Sequence, residues 1–286
     1  MSIQPKLIIH GGAGALEGNI EKINHIRTSL EDICDKTYKH LCSTTSYDAV
    51  IYGIKLLEDD PLFNAGTGSK TQHDGQIRMS AAIMDGSKTR FSGVINIQNV
   101  QNPILIAERL QNYDHTVLSG EMATKFARKL GFKAYNPLIA ERLQESKLNK
   151  VGTTGTVGVV ALDSSRKISV GTSTGGIGSE IPSRMSDSST IAGTYTNGTY
   201  ANLYAGVSGT GIREHIINSG VATKIVTRVE DGYSLKDAVS KSINEGKSKD
   251  YHFGAIAISS SGDIIVDKTK DTIYYAFSDG HIISIF

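Results

Sequence analysis

The sequence predicts an α+β fold built in packed layers, and three observations carry that expectation. Strand-like runs and helical stretches follow each other in blocks, with strands dominating after about residue 157, rather than alternating as regular βαβ units. Glycine makes up 30 of the 286 residues and falls in short clusters, which suggests tight turns and close backbone approaches. Hydrophobic residues are 39% and charged residues 21%, the composition of a soluble globular protein long enough to bury its core as a single domain, 1–286.

The elements read in order as follows. Lys6 to His10 is an apolar strand ending in the glycine turn Gly11 to Gly14. Ile20, Ile23, Ile26, Leu30, Ile33 and Leu41 recur at helical spacing and predict a long amphipathic helix. Ser46 suits the cap of a second helix running through Leu57. Strands follow at 77–84 and 91–97, then a helix opened by Asn102 and Pro103, another from Ser119 to Leu130, and a third opened by Asn136 and Pro137. The stretch 144–155 is polar and reads as exposed. Strands are expected at 157–162 and 168–171, then a Ser/Thr/Gly-rich loop to about Gly198 and a strand at 203–207. A helix from about Ile212 to Val229 and a last one capped by Ser234 precede four short strands at 254–258, 263–267, 272–277 and 281–285.

Thirty basic residues nearly balance 29 acidic ones, which argues against a nucleic-acid or membrane-surface binder. No apolar run approaches the ~20 residues of a membrane span, and the first residues lack the pattern of a signal peptide. Only Cys34 and Cys42 occur, so no disulfide framework is expected and a cytoplasmic location fits. HGGAG at 10–14 and TSTGGIGS at 172–179 lack the spacing of phosphate-binding loops. His10 is read as shaping the first loop.

The stretch most informative about chemistry is Gly155 to Asp163, GTVGVVALD, which puts Thr156 just after an exposed, glycine-bearing segment and at the first residue of a buried strand. Further polar elements are Thr172 to Gly176, the pair Arg184 and Asp187, and Val207 to Gly211. A threonine hydroxyl is a weak nucleophile and needs a base beside it. An N-terminal threonine carries one, because its own α-amine has a pKa near 8 and accepts the hydroxyl proton. Before a cut frees that amine, Thr156 has only the Gly155 carbonyl to attack, and a glycine there tolerates strain.

HGGAG at 10–14, PLFNAGTGS at 61–69, IMDG at 83–86, GTVGVVALD at 155–163 and STGG at 173–176 together resemble the plant-type asparaginase and isoaspartyl peptidase family of N-terminal nucleophile hydrolases. The resemblance spans nearly the whole chain. It implies a four-layer αββα sandwich and a precursor that cuts itself between Gly155 and Thr156, giving subunits 1–155 and 156–286. Its implied activity is hydrolysis of β-aspartyl amide bonds in small molecules, L-asparagine and isoaspartyl dipeptides, by a homodimer of processed protomers. By the resemblance, Thr156 is the nucleophile and Thr174 tunes its protonation. Ser208 and the Gly209 amide form an oxyanion hole. Arg184 grips the substrate α-carboxylate, while Asp187 and the Gly211 carbonyl take the α-ammonium. Asn64 lies near the cut. Carbonyls of Leu57, Glu58, Asp60, Phe63, Ala65 and Thr67 bind a structural sodium ion, and catalysis itself needs no cofactor. Sibling activities, glycosylasparaginase or an aspartate-directed endopeptidase, and a non-catalytic small-molecule binder are the alternatives. The chain departs from the family pattern at Ser80, Ser183, Ser186, Ser208 and Ile212.

Overall fold

The computed structural model describes residues 3–14, 20–147, 155–185, 198–270 and 272–285. The described elements are β1 (Lys6–Gly14), α1 (Ile20–Leu41), α2 (Ser46–Asp59), β2 (Met79–Asp85), β3 (Arg90–Ile97), α3 (Pro103–Leu110), β4 (Val117–Ser119), α4 (Gly120–Lys129), α5 (Ala140–Lys147) and β5 (Val157–Leu162). They continue with β6 (Ile168–Thr174), β7 (Thr199–Ala201), β8 (Ala205–Gly211), α6 (Arg213–Ser219), α7 (Val221–Glu230), α8 (Leu235–Lys247), β9 (Phe253–Ser259), β10 (Ile264–Lys268), β11 (Thr272–Ser278) and β12 (Ile282–Ile285).

Eight strands form one sheet in the order β12-β11-β1-β5-β6-β2-β3-β4, and four form a second in the order β10-β9-β8-β7. Strand alternation sorts their side chains into three cores. Leu7, Ile9, Val157, Val159 and Ala161 face α1 to α4 on the outer side of the large sheet. Ile8, Val160, Leu162, Ile168 and Val170 face the small sheet, where they meet Ile256 and Ile258. Val207, Ala255 and Ala257 turn the other way, against α6 to α8. Helices, sheet, sheet and helices therefore stack as the αββα sandwich expected from the resemblance.

β5 sits between β1 and β6, antiparallel to both, with Val157 opposite Ser173 and Gly158 opposite His10. Among the described residues the β5 ladder begins at Val157, so Thr156, the nucleophile candidate, stands immediately before the central strand.

Several boundaries differ from the sequence reading. Thr45, not Ser46, caps α2, its hydroxyl accepting the Asp48 amide hydrogen. Ser46 is instead buried, its amide bonded to Asp163 at 3.0 Å. Asn136 and Pro137 do not open a helix; the Pro137 carbonyl accepts from Gly68 N–H at 3.0 Å, and α5 begins only at Ala140. The helix expected over 212–229 breaks at Gly220, whose φ of +59° separates α6 from α7. The SGTG string, expected as a turn after the strand, is strand throughout, and the three-residue strands β4 and β7 carry too short a pattern to be seen in sequence. Cys34 is buried and Cys42 exposed, both as free thiols.

Candidate active site

The inner faces of the two sheets bring His10, Thr172 and Ser208 together. Ile8 and His10 of β1 share a face, as do Gly158 and Val160 of β5, Val170 and Thr172 of β6, and Gly206 and Ser208 of β8. Thr156 continues the β5 face and is buried to 8% exposure. The last β5–β6 pair is Val157 with Ser173, and extending that register by one residue would set Thr156 across from Thr174. The Thr174 hydroxyl accepts the Gly176 amide hydrogen at 3.1 Å, which holds the turn after β6 over the strand end.

The glycine turn expected at 11–14 is instead the end of strand β1, which continues to Gly14 with a register shift between His10 and Gly12, and the peptide bond before Thr156 rests on it. A Cβ on Gly12, whose φ is +112°, would lie 2.4 Å from the Gly155 nitrogen, so glycine is required there. A Cβ on Gly155 itself would meet Ala13 and Thr210 only at ordinary contact distances of 3.5–3.8 Å. The sequence argument assigned the steric demand to Gly155; the structure places it on Gly12.

Asn64 reaches the same strand end. Its carboxamide donates to the Gly176 carbonyl and accepts from Lys70 N–H, and its own carbonyl accepts from Gly175 N–H at 2.8 Å. Ser208 lies opposite Gly158, with its Oγ 2.9 Å from His10 Nε2 and 2.9 Å from Thr172 Oγ1. The Gly209 amide, expected in the oxyanion hole, donates here to the Gly198 carbonyl at 2.8 Å. Gly211 ends β8 at φ +136°. Arg184 is held by Glu214, which accepts from Nε at 2.8 Å and from Nη2 at 2.5 Å. Asp187 and Ser186 lie outside the described residues, as do 148–154 of the polar stretch before the cut.

Sequence reasoning missed two partners. Glu214 is a surface glutamate on α6 with no motif around it, so only the fold reveals its pairing with Arg184. His10 was read as a loop residue. Its signal was available in the pattern, because strand alternation places it on the inner face with Ile8. Burial lowers its pKa from 6.5 to about 3, while the Thr156 backbone favours the protonated ring.

The loop from Leu57 to Thr67 is folded so that carbonyls crowd its glycines. A Cβ on Gly66 would lie 2.3 Å from the Glu58 carbonyl oxygen, and one on Gly68 would lie 2.5 Å from that of Pro61 and 3.0 Å from that of Phe63. The Glu58 and Asp60 carbonyls each accept one backbone bond, from Thr67 and Phe63. A carbonyl has two lone pairs, so each keeps one for a hard cation. For Glu58 and Asp60, two of the six carbonyls, this is the acceptor capacity a hard cation would use. The Glu58 side chain points elsewhere, accepting from Ser173 Oγ at 2.6 Å and Ile104 N–H at 3.1 Å. Burial drives its carboxyl up to about 8 against the pull of those bonds. Among the described residues no cluster of His, Cys, Asp or Glu could hold a metal, and no helix is long and apolar enough to cross a membrane.

A threonine just before a central strand, with the glycine-rich end of β1 against the bond preceding it, inside an αββα sandwich, fits an N-terminal nucleophile hydrolase. A family model described as asparaginase matches residues 3–285. The chain is 46% identical over 300 residues to the isoaspartyl peptidase/L-asparaginase of Nostoc sp., covering 97% of this chain and 93% of that protein. It is 35% identical over 301 residues to the plant-type L-asparaginase of Pyrococcus horikoshii, covering 96% of each. Against the isoaspartyl peptidase/L-asparaginase of Mus musculus it is 32% identical over 283 residues, covering 93% of this chain and 83% of that protein. The chain belongs to the asparaginase family of hydrolases.

The His10 shift has a consequence for stability. A histidine kept neutral in the fold but free to protonate when unfolded stabilises fully above 6.5, and that stability is lost as pH falls from 6.5 toward about 3. Unfolding measured at matched processing state should show wild type losing about 1.4 kcal/mol per pH unit relative to His10→Gln below pH 6.5. Parallel pH curves for the two proteins would mean that the ring ionises in place.

Proposed function

We propose that the chain is a self-processing threonine hydrolase that cleaves β-aspartyl amide bonds, in isoaspartyl dipeptides and in L-asparagine. The observation that carries this reading is the position of Thr156: the residue just before the central strand, one step beyond the Val157–Ser173 pair, with the preceding peptide bond pressed on Gly12. In maturation Thr156 Oγ attacks the Gly155 carbonyl carbon, the peptide C–N bond breaks as the acyl group moves to oxygen, and water hydrolyses the ester. Two subunits result, 1–155 and 156–286, and the α-amine of Thr156 is released. In turnover that amine accepts the hydroxyl proton as Oγ attacks the substrate's side-chain carbonyl, and passes it to the departing amine. Water then hydrolyses the aspartyl ester. The hydroxyl of Ser208 polarises the carbonyl under attack, while the Gly209 amide is engaged by the Gly198 carbonyl in this structure.

Arg184 is the group for the substrate α-carboxylate. Glu214 takes the Nε and Nη2 edge of its guanidinium and orients it, while Nη1 is buried without a partner among the described residues. A forked, delocalised cation suits a carboxylate in a way that an ammonium does not. Asp187 and the Gly211 carbonyl take the substrate ammonium in this reading. Two processed protomers pair as a homodimer, and the cytoplasm suits the free thiols of Cys34 and Cys42. The names of the relatives support this activity over the glycosylasparaginase, endopeptidase and non-catalytic alternatives.

Three measurements test the reading. Intact mass of Thr156→Ala should show one uncut, inactive chain, and Thr156→Ser should still process, because it keeps the hydroxyl. A cut alanine variant would assign the cleavage to an outside protease. Arg184→Lys should process normally yet lose about 10- to 1,000-fold in kcat/KM on a β-aspartyl dipeptide. Wild-type kcat/KM in that variant would place the carboxylate elsewhere. For the loop at 57–67, the thermal midpoint should be higher in sodium than in a bulky organic cation at equal ionic strength. Coincident melting curves would remove the ion.

A further inference from the structure

Ser208 is surrounded by hydrogen-bonding groups that compete for its one proton. His10 Nε2 lies at 2.9 Å and Thr172 Oγ1 at 2.9 Å, and Thr199 Oγ1 donates to Thr172 at 2.7 Å. All four residues are wholly buried. Gly158 makes the arrangement possible: a Cβ there would lie 2.1 Å from Ser208 Oγ and 2.3 Å from His10 Nε2, so any side chain would occupy the space the pair shares.

The hydrogen positions follow from counting. Thr172 accepts from Thr199, so its own hydrogen is free to go to Ser208. A hydroxyl carries one hydrogen and two lone pairs. If Ser208 donated to His10, nothing would remain for a substrate carbonyl. If His10 donates, Ser208 receives two hydrogen bonds and keeps its hydrogen. The environment of the other ring nitrogen favours the second state. Among the described residues His10 Nδ1 is buried with no partner in hydrogen-bond geometry, the Thr156 backbone acting on the ring only more weakly. An unmet lone pair at that nitrogen costs less than a stranded N–H.

We propose that His10 is a positioning residue: its neutral ring, protonated at Nε2, donates to Ser208 and, with Thr172, turns the Ser208 hydroxyl hydrogen outward to the carbonyl under attack. The inference rests on the hydrolase reading above and adds the device that orients one of its donors. It gives the histidine of the HGGAG turn a task, and it explains the second glycine of GTVG. Chained donors polarise one another, so Thr199, Thr172 and His10 all strengthen the hydrogen that Ser208 offers. The ring's depressed pKa keeps it neutral over the working range, so it neither repels the α-ammonium of Thr156 nor takes its proton.

Two experiments decide the matter. The first is nitrogen NMR of the full chain with labelled histidine, from about pH 8 down to about pH 5. One of the eight histidines, identified by its loss in His10→Gln, should stay neutral with hydrogen on Nε2 throughout. Hydrogen on Nδ1, or protonation within this range, overturns the proposal. The second is steady-state kinetics on a β-aspartyl dipeptide. Losing an oxyanion donor outright costs about 10²–10³ in kcat, and misdirecting one costs part of that. His10→Phe should lower kcat about 10- to 100-fold with KM nearly unchanged, and His10→Gln, whose amide nitrogen reaches the Nε2 position, should restore most of it. Equal losses in both variants, or a shift in KM alone, overturn it; should the phenylalanine variant not fold, the glutamine variant and the tautomer still decide. The tautomer is read on the folded chain whatever its activity. An inactive wild type therefore counts against the hydrolase reading and leaves the hydrogen-bond direction to be judged separately.

Discussion

The pairing of β5 with strands on both sides is the constraint on which the rest of the site depends. β1 and β6 flank it antiparallel, and its Val157, Val159 and Ala161 are buried under the helices while Val160 and Leu162 are buried between the sheets. A residue at the start of such a strand is fixed by ladders and packing rather than by the chain that precedes it. This is the property a self-cutting precursor needs. Severing the bond before Thr156 removes one covalent link but leaves every β5 hydrogen bond in place. The nucleophile should therefore stand in nearly the same position before and after the cut, and one hydroxyl can serve two carbonyls in turn.

The motif glycines act by leaving space. Gly12 lets the first loop lie against the Gly155 nitrogen at a distance no side chain would permit, and Gly158 opens the slot in which His10 and Ser208 meet. Gly66 and Gly68 allow the carbonyls of Glu58, Pro61 and Phe63 to turn inward. Each glycine sits where backbone or a catalytic side chain must approach closely. Their cost in chain entropy, about 0.5–1 kcal/mol apiece relative to alanine in regular structure, is offset by contacts no other residue allows.

Much of this was legible in the sequence, for physical reasons that also mark where legibility stops. The continuous apolar run in 157–162 and helical spacing in 20–41 are local signals, and both elements stand where those signals put them. The motifs and their order marked Thr156, Thr174, Asn64 and Ser208 as one candidate site. Glu214 was invisible because an ion pair across 30 residues leaves no trace in spacing. His10 was visible but misjudged, since a histidine beside four small residues reads as a turn until its strand neighbours are known. The helix expected at Pro137 failed for a tertiary reason: the proline carbonyl is engaged by Gly68 N–H, and the chain stays extended until Ala140.

Alternation along β6 divides labour between the two faces of one strand. Thr172 and Thr174 face the small sheet, where they serve Ser208 and the turn after the strand. Ser173, between them, faces the helices and donates to Glu58 at 2.6 Å, which also receives the Ile104 amide hydrogen from the first turn of α3. The buried carboxyl thereby ties α2, α3 and β6 together behind the reacting side chains. The same residue lends its carbonyl to the loop at 57–67. A displacement of that loop would reach β6 through one residue, and β6 carries Thr174. The glycine loop, the buried glutamate and β6 thus form one mechanical unit, in which the helical layer fixes positions and the inter-sheet layer carries the candidate catalytic groups.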